Sequence, residues 1–125
     1  DLWLEVPQVD HEKLAVTESG AETSSVVRNR ILAARERQRE RFRHLKKEKK
    51  VGQEVYTNSD MGPKLLKQFA PLDDHCSSLL TASAKRLDLS ARAYHRVIKL
   101  ARTIADLAAS ENIKEERDAI IMATG

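Results

Sequence analysis

Apolar residues recur at helical spacing along most of this chain and at strand spacing only at its start. "DLWLEVP" alternates Leu2, Leu4 and Val6 with Trp3 and Glu5 before Pro7, a period of two that predicts a β-strand. One strand cannot make a sheet, so it either pairs with something outside this stretch or is a frayed end. Residues 8–22 are polar, include Gly20, and read as a linker. A long helix then opens near Thr23 or Ser24, either of which suits an N-cap. Val27, Ile31, Ala34, Gln38, Phe42 and Leu45 follow at steps of three and four, one thin stripe on an arginine-covered surface. The stripe weakens after Ala34, so the second half of this helix is expected to project into solvent.

The segment "KKEKKVGQEVYTNSD" reads as a mobile basic linker, about residues 46–58. A short helix is expected in "NSDMGPKLLKQFAP", capped by Asn58 or Ser59 and stopped by Pro71, with Leu65, Leu66 and Phe69 inward. Asp73 caps the next, whose stripe is Cys76, Leu80, Ala84 and Leu87. Ser90 caps the clearest helix, where Tyr94, Val97, Ile98, Ala101, Ile104, Ala105 and Ala108 form a wide apolar face. A last helix is expected from about Asn112, using Ile113, Ile120 and Ile121. The fold class is therefore all-α, a small bundle of four to five helices preceded by one orphan strand.

Composition agrees. The 125 residues are 41% hydrophobic but only 4% aromatic, which makes the core aliphatic. The single cysteine, Cys76, excludes an internal disulfide and suits a reducing compartment, so a cytoplasmic setting is expected. No apolar run approaches the ~18 residues of a membrane span, and the start lacks the basic and apolar regions of a signal peptide. The net charge is only +3, yet residues 26–50 hold eleven of the 22 Lys and Arg against three Glu. A basic segment on a mildly acidic body points to a polyanion, an acidic partner or plain solubility.

Catalytic and metal signatures are missing. There is neither a P-loop nor a G-x-G-x-x-G sequence, and His11, His44, His75 and His95 lie in different elements without ligand spacing. His75 and Cys76 are neighbours on a helix and diverge by about 100°, so they make no nucleophile pair. Cys76 reads as a small core hydrophobe. Two groups of cations remain. Arg28, Arg30, Arg35, Arg37, Arg39, Arg41 and Arg43 cover the long helix and could contact phosphates or a partner. Phe42 is the only aromatic among them, which argues against base stacking. "LSARAYHR" puts Arg92 in a first turn where the helix dipole disfavours positive charge, and along that helix Arg92, Arg96 and Lys99 share one face at i, i+4 and i+7, with Arg102 further round. Either group can be a solvated cationic face, and periodicity leaves that open.

The stretch "LSARAYHRVIKLARTIADLA" closely resembles the C-terminal helical domain of the magnesium-chelatase-like AAA+ ATPases, the branch that includes bacterial competence-associated proteins. "DLWLEVP" is similar to the strand after that family's R-[IF]-D-L element, and "SSVVRNRILAARERQRERF" to its next helix. The resemblance implies that residues 1–22 are a strand and linker remaining from a nucleotide-binding core. It implies that residues 23–125 are a lid that closes over ATP and Mg2+ held by that core. By motif position, Arg92 is the sensor-2 arginine that meets the γ-phosphate. Arg96 is a weaker candidate, facing a neighbouring subunit or a salt bridge. The implied partners are the upstream core, other subunits of a ring and DNA. Porphyrin metal insertion is the other activity the family name suggests, and the basic helix favours DNA. The stretch alone is expected to be a non-catalytic monomer with no bound nucleotide or metal. The alternative function is a self-standing helical nucleic-acid-binding module on residues 28–50.

Overall fold

A computed structural model of the chain describes residues 3–8, 20–43, 45, 54–111 and 113. Among these, four helices and a 3-10 turn form one bundle: α1 (Ser24–Arg43), the turn (Asn58–Asp60), α2 (Pro63–Phe69), α3 (Asp74–Arg86) and α4 (Ala91–Leu107). The all-α expectation holds. The expected strand does not appear: residues 3–8 have no regular structure, and Trp3, Leu4 and Val6 are exposed.

Caps set the helix starts. The Asp73 carboxylate accepts from Cys76 N at 2.7 Å, and the Ser90 hydroxyl from Ala93 N at 3.2 Å. The single short helix expected after a cap at Asn58 or Ser59 is instead a 3-10 turn and a separate helix. Pro63 cannot donate a backbone hydrogen bond and restricts Gly62 before it to extended backbone, so α2 starts only at Pro63. The 3-10 turn ahead of it is closed by Asp60, whose carboxylate accepts from Thr57 N at 2.9 Å. Beyond both α3 and α4 the chain turns through left-handed residues that are not glycine, Asp88 (φ 49°) and Ala109 (φ 62°). Each brings a backbone N–H back onto the helix: Leu89 N to Ala84 O at 3.0 Å and Ser110 N to Ala105 O at 2.9 Å.

The core joins Phe42 of α1, Leu66 of α2, Cys76 and Leu80 of α3, and Ile98 and Ala101 of α4, with Val55, Met61 and Ile113 from the connections. Phe42 and Phe69 meet edge to face at 5.7 Å. Cys76 is a core residue, as expected, and burial and the nearby Asp73 push its thiol pKa up to about 11. In α3 the buried positions are Cys76, Leu80 and Ser83, while Leu87 lies exposed in the turn.

The orientation of α1 corrects the sequence reading. Its second half packs, through Ala34, Gln38 and Phe42, whereas Val26, Val27, Ile31 and Leu32 in the first half are exposed. The apolar pattern did not show this because Gln38 takes a packed position between Ala34 and Phe42, and Arg37 and Arg41 beside it bond inward. The linker expectation is also corrected at its far end: Val55 and Asn58 are buried and belong to the bundle. Residues 46–53, and the last helix expected from Asn112 apart from Ile113, lie outside the described residues.

Candidate functional site

The helix α4 carries cations at both ends, and the fold treats them differently. At its C-terminal end Arg102 is 2% exposed and Asp106 is 0% exposed. Asp106 is a hub. Its Oδ1 accepts from Arg41 Nη2 at 2.5 Å and Arg102 Nε at 3.2 Å, and its Oδ2 from Arg41 Nη1 at 2.9 Å and Asn58 Nδ2 at 2.8 Å. Arg102 also donates to the carbonyls of Ser110 at 2.6 Å and Glu111 at 2.8 Å, acceptors supplied by the turn through Ala109. Gln38 Oε1 accepts from Asn58 N at 3.1 Å, and Arg37 donates to the Asp106 carbonyl at 3.1 Å. The hub thus ties α1, the 3-10 turn and α4 together. No buried side-chain N or O among the described residues lacks a partner.

Burial by itself would raise the Asp106 carboxyl. The hydrogen bonds from Arg41 and Asn58, with the charges of Arg41 and Arg102, outweigh burial and hold it below the ordinary carboxylate value. Burial lowers the Arg102 guanidinium from its usual value despite Asp106, and the Arg41 charge adds to that effect. One carboxylate between two cations, with carbonyls filling the remaining donors, is a satisfied structural network.

At the N-terminal end of α4, Arg92 and Arg96 are exposed, and no carboxylate among the described residues pairs with either. They border an open groove of about 810 Å³ whose other wall is the stretch from Ser59 to Pro63, with Met61 and Leu66 as apolar lining. Lys99 lies at the same groove but is engaged: its Nζ donates to the Ser59 carbonyl at 2.7 Å and holds that wall to α4. His95 is half-buried and stands edge to face with Tyr94 at 6.0 Å. The structure therefore brings Arg92, Arg96 and Lys99 to one place and moves Arg102 to another.

The arginines of α1 also divide. Arg41 is not an outward contact, because its guanidinium is bidentate on the buried Asp106, and Arg37 is tied to the Asp106 carbonyl. Arg30 pairs with Glu22 at 2.5 Å, Arg39 with Glu36 at 3.2 Å, and Arg43 with Glu40 at 4.0 Å, all at the surface. Arg28 and Arg35 are exposed. From the sequence Gln38 was only a stripe position and Asn58 only a cap candidate, and Asp106 was not singled out. A signal was present, since Arg102 and Asp106 continue the four-residue step from Ile98 along the apolar face, where an ion pair at i, i+4 has no reason to be solvated.

Among the described residues no cluster of three His, Cys, Asp or Glu is placed for a metal, and no helix is long and apolar enough to cross a membrane. What these features define is a small helical domain with a saturated polar hub and an unpaired cationic groove. Residues 21–123 match the family described as "Magnesium chelatase, subunit ChlI C-terminal", and the chain belongs to that family. It is 36% identical over 113 residues to the competence protein ComM of Haemophilus influenzae, covering 90% of this chain and 20% of that protein. It is 34% identical over 116 residues to YifB of Escherichia coli, covering 93% of this chain and 21% of that protein. The chain spans about a fifth of the length of these relatives. No solved structure matches it.

Proposed function

We propose that this chain is the helical lid of a magnesium-chelatase-like AAA+ ATPase, and that Arg92 reaches the terminal phosphate of ATP held by a separate nucleotide-binding core. The observation that carries this reading is the state of Arg92: exposed, without a carboxylate among the described residues, on the first turn of a helix whose far end is locked by the Asp106 hub. A guanidinium donates several oriented hydrogen bonds to phosphate oxygens, and a fixed helix reduces the ordering cost of bringing it there. Arg96, one turn on, serves the same anion or one from a neighbouring subunit. ATP would bring Mg2+, whose role is to neutralise phosphate charge; no cluster of metal ligands is placed among the described residues. Assembly into a ring, action on DNA and a cytoplasmic location complete the proposal. The DNA part rests on the basic surface of α1 and the last on the single buried thiol.

The competing reading, a self-standing nucleic-acid module using all of residues 28–50, is weakened because Arg41 is bidentate on the buried Asp106 and Arg37 is tied to the Asp106 carbonyl. The test is ATPase turnover and ATP affinity of the full-length protein carrying Arg92→Ala. Loss of turnover of about a hundredfold or more is expected, the lower range for one donor that stabilises transition-state charge. Unchanged turnover and affinity would overturn the assignment.

A further inference from the structure

A second concavity, distinct from the Arg92 groove, lies along the packed half of α1. It encloses about 590 Å³, and Arg35, Arg39 and Arg43 line it, with Phe42 and Tyr56 as aromatic lining and Glu36 as the one carboxylate among the described lining residues. The arginines recur at i, i+4 and i+8, which places them on one face with a rise of about 6 Å between neighbours. Tyr56 comes from the connection after α1, and 51% of its surface is exposed. Its hydroxyl donates to Glu54, so that polar end has a partner.

We propose that this concavity binds single-stranded nucleic acid, with the Arg35–Arg39–Arg43 ladder on successive phosphates and one base against the ring of Tyr56. The chemistry follows from what lies together. Three guanidiniums in a row suit a ligand with repeated anions, where a free mononucleotide would use fewer of them. The Glu36–Arg39 and Glu40–Arg43 pairs are surface pairs, with side chains between 56% and 71% exposed, so a phosphate can displace either carboxylate at little cost. A stacking ring beside a cationic track is the arrangement used for single strands, and duplex DNA has no unstacked base to offer it. Along the sequence, α1 lacks such an aromatic; folding supplies one from a residue thirteen positions beyond its end. This site rests on the DNA part of the proposed function, which names the same helix, and does not depend on the triphosphate reading of Arg92.

The test measures binding of the 125-residue chain to a fluorescein-labelled oligothymidylate, and to a duplex of equal length, by anisotropy across a salt series. Three phosphate contacts predict a slope of log K against log salt of about −2. Changing Arg35, Arg39 and Arg43 together to Gln should flatten that slope and weaken binding at low salt by about tenfold or more. Tyr56→Ala should weaken binding about tenfold with the slope unchanged, while Tyr56→Phe binds as the parent does. Arg28→Gln removes a charge outside the concavity and should cost about twofold or less. All these side chains are exposed, so equal melting temperatures are expected and separate lost contacts from lost fold. Tighter binding to the duplex, indifference to Tyr56→Ala, or an unchanged slope in the triple variant would overturn the proposal. So would a chain that binds no strand at all.

Discussion

Arg92 and Arg102 stand ten residues apart on one helix, yet they answer to opposite physics. Arg102 lies near the C-terminal end of α4, where the helix dipole favours a cation, and it binds Asp106 and two carbonyls of the following turn. Arg92 lies in the first turn, where the dipole opposes it and no acidic residue balances it. A fold that can satisfy one arginine so fully and leaves the other unpaired separates structure from availability along a single element. The same division runs through α1, where Arg41 is bidentate on the buried hub while Arg35 and Arg39 remain at the surface.

The largest effect should follow from breaking the hub. Asp106→Ala leaves Arg102 and Arg41 inside without their carboxylate and should cost about 3–5 kcal/mol in denaturant unfolding. A loss below about 1 kcal/mol, the ordinary level for a point substitution, would mean that water or the carbonyls alone satisfy both cations, and the contrast with Arg92 would fail. The hub should also carry an acid signature. The folded Asp106 carboxyl lies below its unfolded value of about 3.9, so its stabilising contribution is complete above about pH 4 and is lost as pH falls through the folded value. Thermal midpoints measured downward from pH 6 should hold until about pH 4 and then fall. Asp106→Asn should shift and flatten that acid limb.

These two experiments probe the feature least legible from sequence. The caps of α3 and α4 were readable because Asp73 and Ser90 each act on a backbone N–H three residues away, and the apolar face of α4 because its period is local. The hub joins residues 38, 41, 58, 102 and 106, and a pattern that assigns charge to the surface places Arg41 and Arg102 in water. That rule also inverted α1, since Gln38 and Arg41 hold its second half to the bundle while Val27 and Ile31 of its first half stay exposed. Pro63 was visible in the sequence, and its effect on Gly62 already argued against a helix running through both. Of the cationic groove, the shared face of Arg92, Arg96 and Lys99 was legible. The opposite wall was not, because Lys99 reaches it through a carbonyl forty residues away.

A smaller effect sharpens the comparison at the N-terminal end itself. Ser90→Ala removes the hydroxyl that accepts from Ala93 N and should cost about 1 kcal/mol. Since α4 is anchored at its far end by the hub, that loss should remain local. Amide exchange should quicken for the first turn of α4, including Ala93, and leave Ala105 and Asp106 protected. Exchange that quickens along the whole helix would show that the two ends are one cooperative unit and that the hub does not pin α4 independently.

The smallest change is expected from Arg92→Ala, and its sign matters more than its size. The side chain has no ion-pair partner among the described residues and sits in the turn where the dipole opposes a cation. Its removal should therefore leave stability unchanged or raise it by up to about 0.5 kcal/mol. Any gain should shrink as salt is added, because the unfavourable interaction is exposed to solvent and screened. Alanine also favours the helix slightly over arginine, so an unscreened residue of the gain at high salt would report propensity alone. A loss above about 1 kcal/mol would give Arg92 a structural task and erase the distinction from Arg102. An unchanged or more stable variant would leave a cation that contributes nothing to the fold that carries it, which is the behaviour required of a side chain held for an external anion.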